Sequence, residues 1–131
     1  MTRLLEEALQ LSVEQKKQMI YVLKNSLEDK RIDERFKQLK KAADEVMGED
    51  ILSDSRERPV VFGRRMVAYV MRKEGNSLES VGRRLNKDHS TICTLCKGME
   101  DILQYPKFFK EETEAWKRFK NMVNYDDSRA S

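Results

Sequence analysis

Glycine and proline are scarce in this sequence, with five glycines and two prolines among 131 residues. A β protein with many tight turns normally uses more of both, so the composition disfavours that class. Long stretches rich in Glu, Lys, Leu, Arg and Met favour helices instead. The composition therefore predicts an all-α protein.

The sequence also lacks long apolar runs and has only two cysteines. No run reaches the roughly 18 apolar residues that a transmembrane helix needs. The opening "MTRLLEEALQLSVEQKK" is acidic and interrupted, unlike the apolar block of a signal peptide. Two cysteines three residues apart cannot form a disulfide framework, which fits a reducing compartment. We therefore expect a cytoplasmic protein with one compact domain, or a small domain with an appendage.

The formal net charge of +3 is unevenly distributed along the chain. Residues 1–54 carry 10 Lys/Arg against 12 Asp/Glu, whereas residues 55–103 carry 10 against 6. A basic middle segment is expected if one region meets a polyanion, although a solvated basic surface would give the same count. The charge pattern alone therefore leaves nucleic-acid binding as one of two interpretations.

Apolar residues at helical spacing divide the chain into segments. A short first helix, a second helix beginning after Ser12 and a third amphipathic stretch ending at Gly48 predict a helical N-terminal segment at 1–49. Its apolar stripes are typical of a core or of a surface that faces a partner. The polar stretch "SDSRERP" at 53–59 predicts a loop or domain junction. We expect the main domain at 50–124 and a disordered tail at 125–131.

The middle of the chain carries a helix-turn-helix pattern. Ser77 can cap a short helix, a break follows at 86–87, and Asp88 can cap a longer helix. In this arrangement the first turn of the second helix points into the major groove of DNA. Base reading requires short side chains that donate, accept or touch a thymine methyl. The candidates for this role are Asp88, His89, Ser90 and Thr91.

The same cluster has other possible roles, and each role requires a different set or arrangement of residues. Asp88 could act only as a helix cap. A structural zinc site needs four ligands, but the sequence offers His89 and one Cys-x-x-Cys pair, Cys93 and Cys96, in mid-helix. A redox role is disfavoured because such a pair normally begins a helix after a strand. Adjacent helical residues diverge by about 100°, so Asp88, His89 and Ser90 cannot form a catalytic triad. We expect no metal, no cofactor and no catalysis.

The stretch "SLESVGRRLNKDHSTICTLCKGMEDIL" resembles the C-terminal, origin-box-binding domain of the bacterial replication initiator DnaA. The similarity extends back through residues 50–72 and covers about 55 residues in all. The turn before Asp88 differs from the family's pattern because it is one residue shorter and has lost a glycine pair. The matching positions are Leu78, Val81, Gly82, Asp88, His89, Ser90, Thr91, Ile92 and Cys96.

This resemblance implies an all-α helix-turn-helix domain that reads DNA in two grooves. Base edges in the major groove would meet the residues at 88–91. Arg56 matches a minor-groove arginine with Arg58 beside it, Arg64 matches a phosphate-binding arginine with Arg65 next to it, and Lys87 precedes the aspartate. Arg83 and Arg84 are open to two interpretations, as solvated surface or as phosphate contacts. The full predicted set is Arg56, Arg58, Arg64, Arg65, Arg83, Lys87, Asp88, His89, Ser90 and Thr91.

No Gly-x4-Gly-Lys-Ser/Thr phosphate loop occurs in the sequence. We therefore expect a sequence-specific binder of double-stranded DNA without the initiator's ATPase module, acting as a replication accessory factor or a transcriptional regulator. The second hypothesis is an adaptor of a mobile element or phage, which would bind a protein partner or self-associate through residues 1–49.

Overall fold

The computed structural model describes residues 13–125, with side chains from residue 26 onward. The helices in this part of the chain are α1 (Val13–Met47), α2 (Arg58–Lys73), α3 (Leu78–Leu85), α4 (His89–Gln104) and α5 (Lys110–Val123). The described range contains no strand, and the predicted all-α class is confirmed. The predicted first helix and the Ser12 cap lie outside the described residues.

The sequence predicted a second helix and a separate third amphipathic stretch, but the structure has one continuous helix there, α1, from Val13 to Met47. The sequence contains no glycine or proline in this interval that would break a helix. The helix ends as predicted at Gly48, which has a φ of +72° and donates its backbone N–H to the carbonyl of Asp44 at 2.8 Å. A left-handed glycine of this kind is a common helix terminator.

The chain divides into two compact units, with the boundary between Glu34 and Arg35. In the described part, the first unit consists of residues 13–34 of α1. The second unit contains the remainder of α1 together with α2 to α5, and its core includes Leu39 and Ala43, which are fully buried. Within this unit the Arg35 guanidinium pairs with the Glu74 carboxylate at 2.8 Å. The assignment of residues 1–49 as an interaction module stays a prediction.

α2 is the central helix of the second unit and packs most extensively against α4. It begins at Arg58, and Pro59 lies in its first turn rather than in the preceding loop. Proline suits this position because the first backbone N–H groups of a helix have no partner within it. Three large α2 side chains, Met66, Val70 and Met71, are fully buried. The last two residues of the stretch predicted as a loop at 53–59 therefore belong to a helix.

The C-terminal helix α5 closes the core with aromatic side chains. Trp116 lies 5.9 Å from Phe119 and contacts Tyr69 of α2 edge-on, with 5.6 Å between ring centroids. Tyr125, predicted in the disordered tail, packs its ring 5.7 Å from that of Trp116. The remainder of the predicted tail, 126–131, lies outside the described residues. Within the described range, no helix is both long enough and apolar enough to cross a membrane.

Candidate nucleic-acid interface

A tight turn joins α3 and α4 and fixes where α4 begins. Asn86 takes the left-handed conformation, with a φ of +57°, and the backbone N–H of Lys87 donates to the carbonyl of Gly82 at 2.9 Å. A Cβ atom on Gly82 would lie 2.5 Å from the Lys87 carbonyl oxygen. The turn therefore closes because residue 82 has no side chain and because asparagine tolerates a positive φ. Asn86 thus supplies the left-handed residue of this turn, which lacks the glycine pair of the DnaA family's pattern.

Both predicted helix caps are present. The Ser77 side chain accepts the Ser80 backbone N–H at 3.1 Å at the start of α3. Asp88 begins α4, and its Oδ1 accepts the backbone N–H of Thr91 at 2.8 Å. Hydrogen bonds from the backbone and side chain of Thr91, followed by the charges of His89 and Lys87, hold the pKa of Asp88 below its usual value. Asp88 is therefore an ionised cap at neutral pH.

The first turn of α4 and the end of α3 share one shallow surface. Arg83, Lys87, Asp88, His89 and Ser90 line it together, and His89 and Ser90 are exposed. Thr91 follows directly and is half-buried. We call these six residues the α4 entry group. They combine the positive charges of Arg83 and Lys87 with hydrogen-bonding groups at the start of α4. This arrangement can contact both phosphates and base edges.

Sequence reasoning missed two members of this surface, Glu79 and Asn86. Glu79 is an exposed carboxylate in the first turn of α3, and its spacing from Arg83 placed it on the same helical side. Arg84, in contrast, does not line this surface. Its Nη1 donates to the backbone oxygen of Ser80 at 3.0 Å and to its hydroxyl at 2.7 Å. Arg84 is thereby held along α3 by local hydrogen bonds.

A second hollow, of about 580 Å³, lies where α2 begins and α4 ends. Arg56, Arg58 and Arg65 line it, and we call them the α2 basic group. The hollow is completed by residues that sequence reasoning missed, including the aromatic pair Phe108 and Phe109. Glu112 adds a carboxylate. Three arginines from a 10-residue stretch thus converge on one surface.

Arg65 is positioned by its contact with α4. A Cβ atom on Gly98 would lie 2.7 Å from Arg65 Nε, so the arginine stem packs directly on the backbone of α4 at this glycine. Arg65 Nε is buried and has no hydrogen-bond partner among the residues that the structure describes. The close packing at Gly98 therefore orients the guanidinium of Arg65 at the cost of one unsatisfied donor.

Arg64 is placed differently from the other predicted arginines. It is 5% exposed, and its Nε donates to the backbone oxygen of Ile51 at 2.6 Å while its Nη2 donates to that of Ser53. These bonds attach the loop after α1 to α2. A phosphate contact by Arg64 stays a prediction from the resemblance, and this placement argues against it because the guanidinium is already engaged inside the protein.

The two cysteines lie on α4 beyond the entry group. Cys93 is exposed and Cys96 is half-buried, and both are free thiols. Burial raises the pKa of the Cys96 thiol, which makes it a weaker nucleophile at neutral pH. Within the described residues, no three His, Cys, Asp or Glu side chains are grouped to hold a metal ion. This arrangement favours a packing role for Cys96.

Residues 43–98 match the family model for the bacterial DnaA protein helix-turn-helix. The match runs from the end of α1 to the middle of α4 and includes the turn and the α4 entry group. No curated protein and no solved structure gives a significant match to the chain. The capped α3–turn–α4 geometry and the family match agree in position. Residues 43–98 therefore form a helix-turn-helix domain similar to that of the bacterial DnaA protein, and a domain of this kind indicates DNA binding.

Proposed function

We propose that this protein binds double-stranded DNA with a sequence preference, that the first turn of α4 reads bases in the major groove, and that binding proceeds without catalysis. The observation that carries this proposal is the α4 entry group. Asp88 caps the helix, and His89 and Ser90 are exposed beside the positive charges of Arg83 and Lys87. Short polar side chains at an exposed helix start suit base contacts.

The α4 entry group and the α2 basic group would make different kinds of contact with DNA. His89, Ser90 and Thr91 would supply base contacts, and Asp88 would accept from a cytosine amino group. The α2 basic group would contact phosphates or a narrow minor groove, where arginine is favoured. The match to a DnaA-type domain supports a setting in DNA replication, as an accessory factor, or in transcriptional regulation.

Selection from a random duplex pool tests the proposal directly. We expect one sequence family to be enriched, with an affinity for the selected site at least about 10³-fold above that for random duplexes. Arg58→Ala and Arg83→Ala should weaken selected and random duplexes alike. Each lost phosphate contact should reduce the slope of log affinity against log salt by about one.

Lys41→Ala is the charge-matched control. Lys41 is exposed on α1 and lines a surface that contains neither proposed group, so its loss should leave the salt slope unchanged. An absence of enrichment after repeated selection would reject sequence-specific binding. Equal effects of Lys41→Ala, Arg58→Ala and Arg83→Ala would show that only net charge matters.

A further inference from the structure

Phe108 is the most exposed of the large hydrophobic side chains in the described part of the chain, at 82%. It lies in the turn between α4 and α5, and the turn is well defined by hydrogen bonds. The backbone N–H groups of Phe108 and Phe109 donate to the carbonyl of Tyr105 at 3.1 and 3.2 Å. The ring of Phe109 supports that of Phe108 edge-on, with 5.0 Å between centroids. The exposed ring is therefore held out by a fixed turn.

Phe108 shares the second hollow with the α2 basic group. A DNA duplex that reaches Arg56 or Arg58 must therefore also come close to this ring. Glu112 contributes a carboxylate to the same hollow, which makes it less suited to hold a phosphate by charge alone. An apolar side chain beside arginines is the combination with which many proteins enter and open the minor groove.

We propose that Phe108 is an apolar wedge that enters the minor groove of the bound duplex beside the α2 basic group and partly unstacks one base step. This inference rests on the proposed function, since it requires a duplex bound through α4 and the arginines. The ring would press on sugars and base edges, while Arg56 and Arg58 neutralise the flanking phosphates. Flexible steps such as TA and CA would be favoured there, so Phe108 would add sequence preference in the flank of the site.

The test uses the full chain and a selected duplex that carries 2-aminopurine at successive flanking positions. The fluorescence of this base analogue rises when it is unstacked. We expect the parent protein to raise the signal at one step and Phe108→Ala to abolish this rise. The affinity of Phe108→Ala should fall about tenfold, on the scale of burying one aromatic side chain. Phe108→Leu should keep most of both effects, because leucine also serves as a wedge.

Met122→Ala is the matched control, since Met122 is 45% exposed but lines a different surface. It should bind and unstack as the parent does. If the parent binds duplexes without selectivity, the proposed function and the wedge both fail. If the parent is selective but Phe108→Ala binds equally well, or no step is unstacked, the wedge alone is wrong.

Single-stranded DNA provides the remaining comparison. If Phe108→Leu is as impaired as Phe108→Ala, and both lose more affinity for single strands than for duplexes, Phe108 stacks on unpaired bases. That result would overturn the wedge. An unchanged affinity for single strands in both variants, together with the loss of duplex unstacking in Phe108→Ala, supports it.

Discussion

Arg64 shows how a single side chain can depart from its expected role. Its guanidinium donates to the carbonyls of Ile51 and Ser53, and only 5% of the residue is exposed. Sequence position alone could not predict this, because an arginine beside a basic loop can turn toward solvent or toward backbone oxygens. The neighbouring Arg56 and Arg58 are exposed, as expected for residues that meet a ligand.

We predict that Arg64→Ala mainly destabilises the fold. Two hydrogen bonds from a charged group to the carbonyls of Ile51 and Ser53 are lost, so the free energy of unfolding should fall by about 1.5–3 kcal/mol. Thermal and urea unfolding measure this directly. Arg58→Ala is the comparison, because Arg58 is exposed and its replacement should leave stability within about 0.5 kcal/mol of the parent. A stable Arg64→Ala protein with a reduced salt slope would instead restore the phosphate role.

Gly98 leaves the space on α4 that the Arg65 side chain occupies. Alanine at this position would place a Cβ atom 2.7 Å from Arg65 Nε and 3.0 Å from its Cζ. We expect Gly98→Ala to displace the Arg65 side chain and to weaken DNA binding, and we expect the same loss of affinity from Arg65→Ala. Alanine favours a helix interior over glycine by about 1 kcal/mol, so α4 should remain formed. Binding titrations measure the expected loss of DNA affinity, and circular dichroism measures whether the helix content is kept. Unchanged affinity in Gly98→Ala would show that the position of Arg65 does not matter for DNA binding.

At the scale of helices, the helix-turn-helix unit could be predicted well from the sequence. Ser77 and Asp88 cap the expected helices, and Ile92, Leu95 and Met99 recur at helical spacing and lie in the core. Capping residues and helical periodicity act locally, so a single sequence contains them. The continuity of α1 could not be read from its spacing, because its apolar pattern also fits two shorter helices.

The turn between α3 and α4 depends on Gly82, and we predict that Gly82→Ala disrupts it. The added Cβ atom would lie 2.5 Å from a backbone oxygen of Lys87, which cannot move without opening the turn. The cost should exceed the gain in helix propensity and lower stability by about 1–3 kcal/mol. Thermal unfolding and duplex affinity should both decline. Glu79→Ala, in the same helix but exposed, is the stability control, and equal midpoints for both variants would contradict the turn's role.

At the scale of the whole molecule, the residues proposed to bind DNA lie on two surfaces of the second unit. One is formed by the α4 entry group and the other by the α2 basic group with Phe108. Sequence reasoning named most of the charged members because the resemblance assigned them position by position. It missed Phe108, Phe109 and Glu112, since the turn that brings them beside α2 depends on tertiary packing. A protein partner for residues 1–49 stays a prediction.

Replacing His89 and Thr91 tests whether the first turn of α4 reads bases. His89→Ala and Thr91→Ala should each lower affinity for the selected site about 5- to 150-fold, because one base contact contributes about 1–3 kcal/mol. Binding to random duplexes should stay nearly intact, since phosphate contacts supply it. The fold should persist because the α4 core residues Ile92, Leu95 and Met99 are untouched.

The decisive measurement is a paired titration of each variant against selected and scrambled duplexes, with a thermal melt of the protein as the control for folding. Glu100→Ala, an exposed replacement farther along α4, should bind both duplexes as the parent does. A loss confined to the selected duplex in His89→Ala and Thr91→Ala is the result that direct base reading predicts. An equal loss on both duplexes, or no loss on either, in folded variants would contradict it and leave the polar cluster as a helix start alone.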